Sequence, residues 1–132
     1  MPLVRISLLK GRSPTELRAI ADGVHAALME TYTVPAEDRF QVIEQRDPNE
    51  IIFSRNYLGI QRTERIVLIH IVASDTRDIA AKQALYAAIT DKLAADPGLR
   101  REDVQVVISG NGRPDWSFGN GLASYVPVPK PA

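Results

Sequence analysis

Pro2 is the residue with the clearest capacity for chemistry in this chain. It follows Met1, and Met-Pro is a start from which the methionine is usually removed. Removal leaves a secondary amine at the head of an apolar segment. An α-amino group titrates near ~8 in model peptides, and burial or a nearby cation disfavours its charged form. Such an amine serves as a base when neutral, an acid when cationic, or a nucleophile that condenses with a carbonyl to an iminium. The plainer reading is that proline at position 2 only aids processing. Arg77 stands where an apolar run gives way to a helical pattern, and its planar fork suits a carboxylate. Asp75, two residues earlier, is a possible ion-pair partner for it. Asp38 lies just before a second apolar segment, where an aspartate commonly caps a turn. Trp116 and Phe118, in D-W-S-F-G-N-G, either wall a pocket or anchor a subunit contact.

Other chemistries have less to stand on. The chain has no cysteine, which excludes a disulfide framework, a thiolate zinc site and a cysteine nucleophile. His25 and His70 belong to different elements, with no third ligand at a suitable spacing, and read as packed or interfacial residues. No dinucleotide, phosphate-loop or nucleophile-elbow motif occurs. Sixteen basic residues balance sixteen acidic ones, so no net field favours nucleic acid or an anionic membrane. No apolar stretch approaches the ~20 residues of a membrane span, and no signal peptide is visible. The expectation is a cytoplasmic protein.

The elements that must position these groups form two similar halves within one expected domain, residues 1–132. PLVRISLL (2–9) predicts a buried strand. Ser13, Pro14 and Glu16 follow as N-cap, first helical residue and capping-box partner. The helix is predicted to run to about Thr31, with an apolar stripe of Leu17, Ile20, Ala21, Val24, Ala27 and Leu28. Arg39–Gln45 predicts a second strand. The plan then repeats: a strand over 65–73, a helix over Thr76–Ala95 and a strand over 104–109. The expected stripe of that second helix is Ile79, Gln83, Tyr86, Ile89 and Leu93. A shift of 65 positions superposes the halves, Leu3 on Leu68, Leu28 on Leu93 and Asp38 on Asp103, which argues for an internal duplication over about 2–45 and 65–110. The expected architecture is α/β: two fused βαβ units forming a four-stranded sheet with two helices on one face. The strands read as apolar on both sides, so the bare face requires a partner, most simply another copy of the chain. The connector 46–64 and the tail 111–132 are too long for turns and are expected to add short strands or loops over neighbouring subunits and pocket mouths.

These features carry a family resemblance. PLVRISLL, H-x-A-L, V-P-A-E-D-R-F-Q, D-P-N-E-I-I, L-G-I-Q-R-T and D-W-S-F-G-N-G together resemble the tautomerase superfamily, and more closely its malonate semialdehyde decarboxylase-like branch. The resemblance covers most of the chain. It implies a homotrimer with Pro2 at the base of each site, Asp38 working beside it, and Arg77 holding the carboxylate of a small oxo acid. Trp116 and Phe118 match the branch's pocket aromatics. Asp75 departs from the pattern, standing where the branch has another arginine. The implied enzyme is a lyase or isomerase needing no metal or organic cofactor: a decarboxylase of malonate semialdehyde or a similar 3-oxo acid. The alternatives are a keto–enol tautomerase or hydratase of 2-oxo or unsaturated acids, and a trimeric binding protein without turnover.

Overall fold

A computed structural model of the chain describes residues 1–128; the last four residues of the expected tail lie outside it. Its elements are β1 (Leu3–Leu9), α1 (Pro14–Tyr32), β2 (Phe40–Arg46), β3 (Val67–Ser74), α2 (Ile79–Ala95) and β4 (Val104–Asn111). The four strands form one mixed sheet in the order β2-β1-β3-β4. Each crossover helix makes its own strand pair parallel, β1 with β2 and β3 with β4. The two units meet at the centre, where β1 and β3 run antiparallel. Alternate strand residues Val4, Ile6 and Leu8 of β1 and Val67, Ile69 and Ile71 of β3 pack in one core with both helices. This matches the expected sheet with its two helices, and the antiparallel join is the feature the residue pattern did not supply.

The 65-residue offset is visible in hydrogen-bonded pairs. Leu3 pairs with Phe40, and Leu68, 65 positions after Leu3, pairs with Gln105, 65 after Phe40. The helix starts correspond as well. Ser13 Oγ accepts the Glu16 N–H at 3.1 Å, and Asp78 Oδ1 accepts the Ala81 N–H at 2.9 Å, so each helix has an oxygen cap on one orphan donor.

Several expectations change. The Glu16 carboxylate does not complete a capping box. It meets the Arg65 guanidinium and lies 3.6 Å from Arg12, because charged donors outbid a backbone amide. The second helix starts at Ile79 rather than Thr76, since Asp78 is extended and caps it, which leaves Thr76 and Arg77 in the loop. Its buried face is Leu85, Ile89 and Leu93; Ile79 and Tyr86 are exposed. Alanines surround this helix, so its apolar stripe is poorly marked, whereas the offset from Ile20, Val24 and Leu28 identifies the inward residues. The open sheet face is mixed rather than apolar. Phe40, Val42 and Val107 are exposed there, but Arg5 and Ser7 both bond Glu44, and His70 meets Ser109 Oγ at 2.8 Å. The connector and the described tail contain no strand, only single 3₁₀ turns at Tyr57–Gly59 and Arg113–Asp115. Among the described residues no helix is long and apolar enough to cross a membrane.

Ile89→Ala should cost about 2–5 kcal/mol in urea unfolding, while Ile79→Ala should change stability by no more than about 0.5 kcal/mol. Equal losses would mean that the helix presents the other face to the sheet.

Candidate active site

The antiparallel join sets the geometry of the site. Leu3, at the start of β1, pairs with Val72 near the end of β3. Because β1 and β2 are parallel, the start of β2 lies on the other side of the same end of β1. Pro2, Asp38 and Arg77 therefore arrive together from three distant parts of the chain. They line one cleft of about 240 Å³, with Met1, Tyr32, Val34, Ser74 and Tyr125 also in its wall.

The Asp38 side chain is held in this cleft by its loop. His25, buried on α1, contacts the Ala36 carbonyl through Nε2 at 2.8 Å. Arg39 donates to Asp22 Oδ1 at 2.6 Å, and Gln41 donates to the Ala21 carbonyl at 2.8 Å. These three ties dock the turn onto α1. His25 is thus a packed histidine, as expected, and it anchors the segment that carries Asp38. Among the described residues no cluster of three or more His, Cys, Asp or Glu side chains could hold a metal ion.

With Met1 in place, its amine bonds the Asp38 carboxylate. Burial, and secondarily the Arg77 guanidinium, lower this amine from 8.0 to about 6. The second half shows what the same carboxylate does without a free amine. Asp103, fully buried, accepts the Thr63 N–H and the Thr63 hydroxyl, each at 2.7 Å. Its role is to fasten the connector entering β3.

Arg77 is fixed by the C-terminus of α1, whose last turn carries no basic residue. Thr33 ends the helix at φ 53, in the left-handed region, and leaves the Tyr32 carbonyl to side-chain donors, one of them the Thr33 hydroxyl at 2.6 Å. Arg77 Nη2 donates to that carbonyl at 2.6 Å, and Nη1 donates to Thr76 Oγ1 at 2.5 Å. The guanidinium carbon also sits 4.7 Å from the Tyr32 ring centroid, in cation–π range. A cation is favourable at this negative helix end. Tyr32 is 3% exposed, and among the described residues its hydroxyl has no hydrogen-bond partner. Burial, then the neighbouring Tyr86, raises its pKa from 10.0.

Asp75 does not pair with Arg77. Its carboxylate is exposed and lies 3.8 Å from Lys82, while its N–H donates to the Asn111 carbonyl at 2.8 Å. Gly110 permits this approach, since a Cβ there would lie 2.7 Å from that of Asp75. Trp116 and Phe118 do not line the cleft within one chain. They stack at 5.4 Å, and Phe118 packs edge-on against Tyr125 at 5.3 Å, so Tyr125 is the member of this aromatic cluster that reaches the wall. Sequence reasoning missed Tyr32, Ser74 and Tyr125. Tyr32 immediately precedes the helix stop at Thr33-Val34-Pro35, and Ser74 is the polar end of an apolar run; Tyr125 has no comparable signal.

Arg77→Ala should lower stability by about 1–2 kcal/mol through loss of the helix-end contacts, with urea unfolding as the measure. A change within about 0.5 kcal/mol would mean an unattached arginine. In protein that retains Met1, carbamoylation by cyanate as a function of pH should give a half-point near 6. The folded chain holds fewer protons on this amine than the unfolded chain between about 6 and 8.0, so its contribution to stability increases as pH rises through that window. A half-point near 8.0 would show that the fold does not perturb the amine.

Two family models match the sequence, over residues 38–119 and residues 2–61, and both describe a tautomerase enzyme. The probable tautomerase YusQ of Bacillus subtilis (strain 168) is 37% identical over 96% of this chain and 99% of its own length. The probable tautomerase YrdN of the same strain is 33% identical over 96% and 97%. Among solved structures, FG41 malonate semialdehyde decarboxylase inhibited by 3-bromopropiolate superposes with a TM-score of 0.88 at 44% identity, covering 96% of this chain and 99% of that one. A second malonate semialdehyde decarboxylase gives 0.89 at 32% identity, covering 93% and 95%. A fused 4-OT, described as a symmetric trimer, shares the fold with a TM-score of 0.76 at 19% identity, covering 93% and 97%. With matched models at both ends of the chain and relatives aligned along nearly all of it, this protein belongs to the tautomerase family of enzymes.

Proposed function

We propose that the chain, once Met1 is removed, is a cofactor-free enzyme that uses the Pro2 amine to decarboxylate malonate semialdehyde or a similar 3-oxo acid. The observation that carries this reading is the convergence of Pro2, Asp38 and Arg77 on one cleft. The 44% identity to a malonate semialdehyde decarboxylase supports it.

Arg77 pairs with the substrate carboxylate through N–H groups not used on Thr76 and Tyr32. Neutral Pro2 attacks the aldehyde carbon, and loss of water gives an iminium. The carbon–carbon bond to the carboxylate then breaks, releasing carbon dioxide and leaving an enamine. The enamine carbon takes a proton, and water hydrolyses the resulting iminium to acetaldehyde and free Pro2. Asp38 hydrogen-bonds the amine and orients the water. Formation of neutral carbon dioxide discharges the carboxylate, so a cleft that excludes solvent favours the step. The chain acts as a homotrimer in this reading. Its exposed apolar residues, including Ile52, Leu58, Val107 and Leu122, lie on the connector, the open sheet face and the tail, where a second copy covers them. Trp116 and Phe118 then serve the site by backing Tyr125.

A second reading is keto–enol tautomerisation of a 2-oxo acid, with neutral Pro2 as the base. Burial, then Arg77, lowers the Met1 amine of the unprocessed chain; the same influences on Pro2 would favour the neutral base that this reading, like the first, requires.

Proton NMR of malonate semialdehyde with protein whose intact mass lacks Met1 should show acetaldehyde forming in proportion to enzyme. Unchanged substrate, together with accelerated ketonisation of a 2-oxo acid enol, would select the tautomerase. Pro2→Ala should reduce kcat/KM at least about 100-fold while the trimer persists; retained activity excludes the Pro2 mechanism. For wild type, kcat/KM should rise with pH as the amine loses its proton and level off above its pKa; a rate that instead falls there would make the cation the working form.

A further inference from the structure

We propose that the Ser74 hydroxyl is a ligand-binding group, the donor to the neutral oxygen of an acid whose carboxylate lies on Arg77. This rests on the preceding reading of the cleft in the processed chain. Ser74 ends β3 and is 4% exposed, yet it lines the same cleft as Pro2 and Arg77. Its hydroxyl donates to the Met1 sulfur at 3.0 Å. A thioether is a weak acceptor, and a buried hydroxyl left without a partner is destabilising. Excision of Met1 removes that acceptor and opens the space its side chain occupied.

Met1 itself marks the points a ligand can use, with its amine on Asp38 and its sulfur on Ser74. Arg77 is the single permanently cationic side chain among the described lining residues, and Asp38 is the acidic one. The cleft therefore has a charged donor for one carboxylate and an uncharged donor for a second oxygen. That combination fits a monocarboxylic acid bearing an aldehyde, ketone or hydroxyl oxygen. A dicarboxylate would set its second charge on a neutral hydroxyl close to the Asp38 carboxylate.

The test is NMR titration of Met1-free protein with propanoate and 3-hydroxypropanoate, which reports binding without turnover. Wild type should prefer 3-hydroxypropanoate by about five- to tenfold, the effect of one net hydrogen bond, and should bind malonate more weakly than 3-hydroxypropanoate. Ser74→Ala should abolish the preference with propanoate affinity unchanged, and Ser74→Thr should restore it. A preference that survives in Ser74→Ala, or is absent from wild type, overturns the assignment. Arg77→Ala should weaken both acids alike. Binding of neither acid to wild type removes the cleft reading and this proposal together, whereas decarboxylase failure with the preference intact removes only the reaction.

Discussion

The antiparallel pairing of β1 with β3 is the constraint on which the rest of this molecule depends. Each βαβ unit alone would place its two strand starts at one edge of the sheet and their ends at the other. Joining two units head to tail through β1 and β3 mixes these edges. Leu3 comes opposite Val72, so the beginning of one unit lies beside the strand-to-helix loop of the other. The cleft combines Pro2 and Asp38 from the first unit with Ser74 and Arg77 from the second. A cleft at the carboxyl ends of a parallel sheet would have gathered Arg77 without Pro2.

The cation in this cleft is secured by structural needs as well. Arg77 supplies the positive end group that α1 lacks in its last turn, and its fork is oriented by the Tyr32 carbonyl and ring. Burial first, and then the guanidinium, lowers the pKa of the neighbouring Met1 amine, and the remaining donors of Arg77 are available to an anion. Asp38 opposes the arginine electrostatically, since a carboxylate favours the protonated amine. The balance between burial, Arg77 and Asp38 decides how much neutral amine is present at a given pH.

Much of this was legible from residues alone, for physical reasons that also mark where legibility ends. Local chemistry was readable: Ser13 caps α1 as its hydroxyl and position imply, and Pro14 tolerates the first helical place. The offset that relates Leu28 to Leu93 reappears in the strand register and in both helix caps. Pairing between distant strands was not readable, because an apolar strand does not declare its neighbour or direction. For a related reason, the apolar stripe expected on α2 holds at Ile89 and Leu93 but not at Ile79, Gln83 or Tyr86, which are exposed. An alanine-rich helix carries little contrast between faces, and Ile79 projects to solvent while Leu85 is buried. Tyr32 and Ser74 belong to the cleft only through tertiary placement, one at a helix end turned by Thr33 at positive φ, the other at the last strand position before a loop.

The contrast between Asp38 and Asp103 has a consequence in stoichiometry. Two separate βαβ units would carry two free amino termini and two carboxylates to meet them. Fusion in one chain turns the second terminus into an ordinary peptide, and the connector residue Thr63 takes over its carboxylate through an amide and a hydroxyl. Each copy therefore has one amino-terminal segment beside a carboxylate for two similar frameworks. The pole that gave up an amine holds a buried clasp instead, while the same half still supplies Ser74 and Arg77 to the cleft at the opposite pole.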